Sequence, residues 1–210
     1  MLRKIFLFLL LTTPLTLWAA ESPDYAEGIN YERVIPPLPG GTNGKIEVLE
    51  LFWYGCPHCD RFDPFVEKWL ETKADYINFK HMPAVFNNPT WRLHATAFYT
   101  AETLGIGHKL HKPFFDAINR QNRRLTTKDQ LRSFFADYGV SAKDFDKTFK
   151  SFAVKAKVAR AADLTKKFGI DGVPVVIVNG KYRVNASLAG GSYDNLLKIV
   201  DHLAAMENDK

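Results

Sequence analysis

One segment of the sequence constrains the fold more than any other, an apolar run that ends in a glycine and continues into a Cys-x-x-Cys motif. Residues 45–54 are almost all apolar, β-branched or aromatic, which is typical of a strand buried on both faces. Gly55 ends this run, and the sequence Cys-Pro-His-Cys follows at residues 56–59. The two cysteines therefore stand where a buried strand turns into the next element.

The segment that follows the glycine is predicted to be a helix with Cys56 at its N-terminus. Apolar residues recur on one helical face at Phe62, Phe65, Val66, Trp69 and Leu70. Pro57 suits the first turn, where a backbone N–H has no partner within the helix. Free N–H groups and the helix dipole favour a thiolate at this position, so we expect Cys56 to ionise readily.

His58 is a second candidate stabiliser of that thiolate, because its ring can donate a hydrogen bond to the Cys56 sulfur. A stabilised thiolate favours the dithiol over the disulfide, which predicts a disulfide that is readily passed to other thiols. The alternatives are half of a zinc site or a structural bridge. Zinc normally takes four ligands, and the chain has only two cysteines. So tight a loop also gives a structural bridge little entropic benefit.

Residues 1–20 have the composition of a secretory signal peptide. Two basic residues precede a short apolar run at residues 5–17, and Ala19-Ala20 supplies the small residues of a cleavage site. Cleavage after either alanine is compatible with this pattern, and an uncleaved anchor is the alternative. An export signal together with a dithiol motif predicts an oxidising compartment, the periplasm.

Charge and cysteine content restrict the partners. The chain has 28 basic and 23 acidic residues, a net charge of +5, and two of the basic residues lie in the signal segment. So small an excess argues against a nucleic-acid partner. Both cysteines lie in the motif, so we expect no other disulfide and no cofactor beyond the redox-active disulfide. We also expect no metal and a monomer.

The order of predicted elements indicates an α/β fold with a helical insertion. Strands are predicted at residues 45–54 and 76–82, and a hairpin turns at Asn179-Gly180 between residues 173–178 and 181–185. The region between these pairs of strands has helical periodicity, and a last helix begins at Ser192. We expect one mixed sheet built from residues 21–86 and 168–210, with residues 87–167 as the inserted all-helical domain.

Several segments are predicted to have structural or surface roles only. Residues 36–41, rich in proline and glycine, are expected to form a linker or an edge segment. The basic residues of the long helix near residue 160 are expected to face solvent. The four histidines in helical stretches are also predicted to lie on the surface: His94, His108, His111 and His202.

The motif, the Val-Leu-Glu sequence before it and the segment Gly172-Val173-Pro174 resemble the DsbA family of thiol:disulfide oxidoreductases. The resemblance covers nearly the whole mature chain. It implies a thioredoxin-like fold, a central mixed sheet flanked by helices, interrupted by the helical domain. It also implies that Cys56 is the exposed reactive sulfur and Cys59 its buried resolving partner.

The same resemblance assigns roles to Pro174 and Glu50. It implies that Pro174 is cis and faces the disulfide, where the neighbouring backbone pairs with an extended substrate; the residues alone are equally compatible with a trans bond. It implies that Glu50 is a buried acid that shuttles the proton of Cys59, whereas the residues alone also allow a hydrated carboxylate. Lys80 and His81 are both candidates for its basic partner.

The activity implied is donation of the Cys56–Cys59 disulfide to newly exported cysteine-containing proteins, with reoxidation by a quinone-linked membrane partner, DsbB. Trp53, Tyr54 and Phe65 are candidates for apolar contacts with substrate, beside Val173 and Pro174. The alternatives are a reductase or isomerase, whose motifs usually carry other dipeptides between the cysteines, and a non-enzymatic module that binds peptides or metal.

Overall fold

The computed structural model of the protein describes residues 25–41 and 43–210. The predicted signal peptide and its cleavage site lie outside these residues. The strands are β1 (Glu32–Arg33), β2 (Ile46–Phe52), β3 (Ile77–Pro83), β4 (Val175–Val178) and β5 (Tyr182–Asn185). The helices are α1 (Pro57–Leu70), α2 (Pro89–Thr103), α3 (Gly107–Asn119), α4 (Lys128–Ala136), α5 (Ala142–Phe149), α6 (Phe152–Lys167) and α7 (Tyr193–Asn208).

The five strands form one mixed sheet in the order β1-β5-β4-β2-β3. Strand β2 runs parallel to β3 and antiparallel to β4, and the β4–β5 hairpin extends the sheet to β1. Helices α2 to α6 lie in the chain between β3 and β4. The predicted α/β architecture, a thioredoxin-like sheet with a helical insertion, is confirmed.

Successive side chains of β2 point to opposite faces of the sheet, so the strand contributes to two separate cores. Val48 packs with α1 and α7 on one face, whereas Leu49 and Leu51 pack with α6 on the other. A third core fills the helical block and is built largely from phenylalanines: Phe114, Phe115, Phe134, Phe135 and Phe145. Phe52, at the end of β2, belongs to this third core, so the motif begins where the sheet meets the helical block.

Local signals in the sequence explain where the helices begin. Thr127 and Gln130 form a reciprocal capping box at α4, and Ser192 caps α7. Pro57 occupies the start of α1. Among the described residues, each helix is too short or too polar to span a membrane.

Some predictions about single segments were wrong. His94 and His111 are buried rather than exposed, because each lies on the apolar face of its helix. His108 is exposed as predicted, and His202 is half-buried beside Tyr25. The short β1 strand was not predicted, although the following proline-rich segment lies outside the sheet as expected.

Candidate active site

Cys56 is the N-cap residue of α1, with extended backbone angles (φ −96°, ψ 114°). Its N–H donates to the Trp53 carbonyl oxygen at 2.9 Å, which closes the turn between β2 and the helix. Gly55 allows this turn, because a Cβ there would lie 2.4 Å from the Trp53 ring. The strand, the glycine and the helix start therefore fix the first cysteine at the surface end of the sheet.

The two thiols of the motif differ in acidity. The Cys59 thiol donates to the Cys56 sulfur, and the N–H groups of Cys59 and His58 add to this effect, which lowers the pKa of Cys56 to about 6 despite partial burial. Burial raises the pKa of Cys59 well above its usual value, and the neighbouring Cys56 and Glu50 raise it further. The reduced pair therefore holds a thiolate on Cys56 and a thiol on Cys59 at neutral pH.

His58 is exposed on the first turn of α1, and its ring pairs with a different partner from the one predicted. Arg61 Nη2 lies 2.9 Å from His58 Nδ1, so the ring faces the guanidinium. The charge of His58 still lowers the pKa of Cys56, but it contributes less than the Cys59 thiol and the backbone N–H groups. Tyr193 donates to the His58 carbonyl oxygen at 3.1 Å and so attaches α7 to this turn.

The Val173–Pro174 segment lies directly against the first cysteine. The Val173–Pro174 peptide bond is cis. The Cys56 Sγ lies 3.4 Å from the Val173 carbonyl oxygen, a hydrogen bond that only the protonated thiol can donate. The segment thus brings free backbone groups next to the sulfur.

Two shallow pockets flank this contact. One, of about 370 Å³, is bounded by Cys56, Val173 and a stacked pair of rings, Trp53 on Trp91, whose centroids are 4.3 Å apart. The other, of about 220 Å³, is bounded by His58, Val173, Pro174 and Tyr193. Val173 lines both pockets, and Cys56 lines the first.

Two residues proposed as substrate contacts lie elsewhere. Tyr54 is only 2% exposed, because its ring stacks on Phe114 in the core of the helical block, so its assignment to the substrate surface was wrong. Phe65 is half-buried against Tyr193 on the far side of α1 and lines neither pocket. Trp91, which the sequence did not single out, takes a place beside Trp53.

Glu50 lies under the motif, and its partner is His81. The register pairs Glu50 with His81 across β2 and β3, and His81 Nδ1 lies 2.9 Å from Glu50 Oε2. Lys80 points to the opposite face, where it pairs with Glu47 at 2.6 Å. Burial lowers the pKa of His81, but the hydrogen bond and charge of Glu50 and the charges of nearby acids outweigh burial and raise it.

A second buried histidine lies against the first. The ring centroids of His81 and His111 are 4.2 Å apart, and His111 also contacts Asp63 and the Tyr54 hydroxyl. The sequence carried a signal for its burial, since His111 precedes Phe114 and Phe115 by three and four residues on one helical face. Among the described residues, no group of acidic, histidine and cysteine side chains is arranged to hold a metal ion.

Comparisons with known proteins agree on one family. The family model described as "DSBA-like thioredoxin domain" matches residues 47–200. The thiol:disulfide interchange protein DsbA of Pseudomonas syringae pv. tomato is 44% identical over 180 residues, which cover 86% of this chain and 83% of that protein. The DsbA of Pseudomonas aeruginosa is 39% identical over 189 residues, covering 90% and 89%. A crystal structure of Pseudomonas aeruginosa DsbA superposes with a TM-score of 0.82 at 38% identity, covering 88% of this chain and 95% of that one.

Proposed function

Because the chain belongs to the DsbA-like thioredoxin family and is a disulfide oxidoreductase, we propose that it donates its Cys56–Cys59 disulfide to newly exported proteins. The difference in acidity between the two thiols supports transfer of the disulfide from the enzyme to the substrate. A Cys56 thiolate is stable in the reduced protein and has no counterpart in the disulfide, so reduction of the enzyme is favourable.

Two exchange steps complete the reaction. A substrate thiolate attacks Cys56 Sγ, the Cys56–Cys59 bond breaks, and its electron pair leaves on Cys59 Sγ. A second substrate thiolate then attacks the substrate sulfur of the mixed disulfide, and Cys56 leaves as a thiolate. The substrate gains a disulfide and the enzyme gains two electrons. Pro57 occupies the first turn of α1, where its missing N–H is not needed, and the N–H groups of His58 and Cys59 stabilise Cys56 as it leaves.

Glu50 and His81 deliver the proton that Cys59 takes up. Burial makes a lasting thiolate on Cys59 unfavourable, and the charge of Glu50 makes it more so. A charged His81, held on Glu50, offsets that negative charge and supplies a proton. This assignment gives the buried acid the role of a shuttle between His81 and Cys59.

Substrate binds across the two pockets that flank Cys56. The backbone of Val173 and Pro174 offers pairing groups to an extended chain, as in strand addition to a sheet edge. Trp53 supplies an apolar wall that accepts many side chains. Contacts of this kind suit a range of unfolded substrates.

The mature protein would act in the periplasm, after removal of residues 1–20. A membrane protein of the DsbB type, which passes electrons to quinone, would reoxidise it, with the redox-active disulfide as the sole cofactor. We assign residues 21–86 and 168–210 to the thioredoxin-like domain and residues 87–167 to the helical domain.

The experiment is oxidation of a reduced, unfolded protein with two cysteines by the oxidised enzyme, followed by thiol counting and a non-reducing gel. We expect one substrate disulfide per enzyme disulfide and none from Cys56→Ser. Failure of this reaction, together with reduction of a substrate disulfide by the dithiol form of the enzyme, would instead identify a reductase. Unchanged substrate binding in a variant lacking both cysteines, without turnover in the wild type, would identify a binding module.

A further inference from the structure

The helical block contributes one buried titratable side chain to the region under the motif, His111 of α3. It is 7% exposed, and its ring lies against His81 at 4.2 Å between centroids and 33° between planes. Its Nε2 lies 3.4 Å from Asp63 Oδ1 on α1, and its Nδ1 lies 3.1 Å from the Tyr54 hydroxyl. His111 therefore connects α3 with β3, with α1 and with the end of the motif strand.

The partners of His111 suit a neutral ring. The Tyr54 hydroxyl lies 3.1 Å from Nδ1, and in the tautomer in which Nδ1 accepts, the ring N–H is on Nε2, 3.4 Å from Asp63 Oδ1. Burial lowers the pKa of His111 and outweighs the nearby Asp63, which raises it, while the charge of His81 lowers it further. Two imidazolium rings in this contact would repel each other, so the pair favours a single positive charge, on the ring that faces Glu50.

Charged groups act on this pair from every element around it. The buried acids are Glu50 of β2 and Asp63 of α1, and the exposed Glu67 of α1 also raises the pKa of His81. At the two surface pockets that His81 lines, the groups are Lys73 after α1, Glu102 of α2, His108 of α3, and Lys157 and Arg160 of α6. Lys80 and Glu47 line one of these pockets as an ion pair. The surface groups include both signs and are open to solvent, whereas His111 touches the His81 ring itself.

We propose that His111 is a positioning residue for the exchange reaction, which keeps His81 charged against Glu50 beneath Cys59. Nε2 of His111 lies 3.4 Å from the buried Oδ1 of Asp63, which has no hydrogen-bond partner among the described residues, and the negative charge of Asp63 favours a proton on His81. The inference rests on the proposed function, because it deepens the role given there to His81.

The step that depends on His111 is proton uptake by Cys59. When the Cys56–Cys59 bond breaks, the electron pair remains on Cys59 Sγ, and one proton passes from His81 by way of Glu50 to that sulfur. His81 then regains a proton from water in the pockets that it lines. The helical block thus takes part in the chemistry, beyond covering the sheet.

The test is His111→Phe, which keeps an aromatic ring against His81 and removes the contacts with Asp63 and Tyr54. The titration of His81 is followed by NMR of its ring C–H, and the single-turnover reduction of the enzyme disulfide by a dithiol is measured across the same pH range. We expect the midpoint of His81 to fall by at least about 0.5 pH unit, and the rate at a pH above the midpoint to fall about threefold. His111→Leu, which also removes both polar contacts, serves if the phenylalanine variant does not fold, with the same expectation.

His94→Phe is the control for the His81 titration, because His94 is equally buried in the helical block but bonds the Leu125 carbonyl oxygen rather than an acid. It should leave the midpoint of His81 in place. An unchanged midpoint in folded His111→Phe would overturn the inference, and so would a shifted midpoint that the rate profile does not follow. A wild-type enzyme that oxidises no dithiol would instead refute the proposed function.

Discussion

Among single residues, the two cysteines show how position changes the chemistry of one side chain. Cys56 stands at a helix start, where N–H groups and the Cys59 thiol point at its sulfur. Cys59 is one turn further along and fully buried, with Glu50 acting on it. The same thiol group is thus a thiolate at one position and a neutral thiol at the other.

The first prediction ranks the groups that stabilise the Cys56 thiolate. Cys59→Ala should raise the pKa of Cys56 more than His58→Ala does, because the Cys59 thiol is the largest stabiliser and the His58 ring faces Arg61. His58→Ala should weaken the oxidant by less than about 30 mV, the equivalent of a tenfold change in the exchange equilibrium. The pH dependence of alkylation by iodoacetamide gives both pKa values. A larger rise in the His58 variant would contradict the ranking.

The sequence predicted the reactive residues better than their surroundings. A strand, a glycine and a helix start are local signals, so the position of Cys56 followed from them. The choice between Lys80 and His81 depended on the register of β2 against β3, which no local signal sets. Tyr54 was assigned to the surface because its aromatic ring is close to the motif in the chain, whereas tertiary packing directs the ring inward.

Among the elements, the start of α2 completes one wall of the pocket beside Cys56, the proposed substrate surface. Trp91 belongs to α2 and stacks on Trp53 with 11° between the rings, and Phe86 packs on the edge of Trp91. The helical block therefore supports the surface beside Cys56 from the side opposite α7. Helix starts and stops could be predicted from capping residues, but β1, only two residues long, forms through pairing with β5 and carries little signal of its own.

The second prediction concerns this wall. Trp91→Ala should raise the KM for an unfolded protein substrate about two- to tenfold, since an aromatic pair contributes about 0.5–1.5 kcal/mol beyond the area that it buries. The equilibrium with glutathione should change little, because Trp91 does not contact either sulfur. Steady-state oxidation of the protein substrate and a glutathione titration separate the two effects. Phe152→Ala, on an exposed residue of α6, is the control and should change neither. An unchanged KM in folded Trp91→Ala would remove the stacked rings from the substrate surface.

For the molecule as a whole, the acidity of Cys56 becomes a difference in stability between the two redox forms. The folded reduced protein has a pKa of about 6 at Cys56, below the ordinary value of 9.0. Because the pKa of Cys56 is lower in the folded protein than in the unfolded chain, ionisation of this thiol stabilises the fold. The contribution is complete at a pH above the ordinary pKa and is lost as the pH falls through about 6. The disulfide form has no ionisable thiol in the motif and lacks this contribution.

The third prediction follows from that linkage. The reduced protein should melt at a higher temperature than the oxidised protein at pH 8, and the difference should shrink steadily toward pH 5. Thermal melts of both forms in a series of buffers test it, with the double variant Cys56→Ser, Cys59→Ser as a control that responds to neither oxidant nor reductant. An oxidised form that melts higher at every pH would contradict the oxidant assignment.

The most direct test of the central claim, that this chain is a disulfide donor, is an equilibrium titration of the Cys56–Cys59 pair against a glutathione redox buffer at pH 7. The reduced fraction is read from trapped thiols at each ratio of glutathione to glutathione disulfide. The account predicts a midpoint clearly more oxidising than the value of about −270 mV typical of thioredoxin. A midpoint at or below that value would show that the thiolate on Cys56 does not make the disulfide a donor, and would contradict the account.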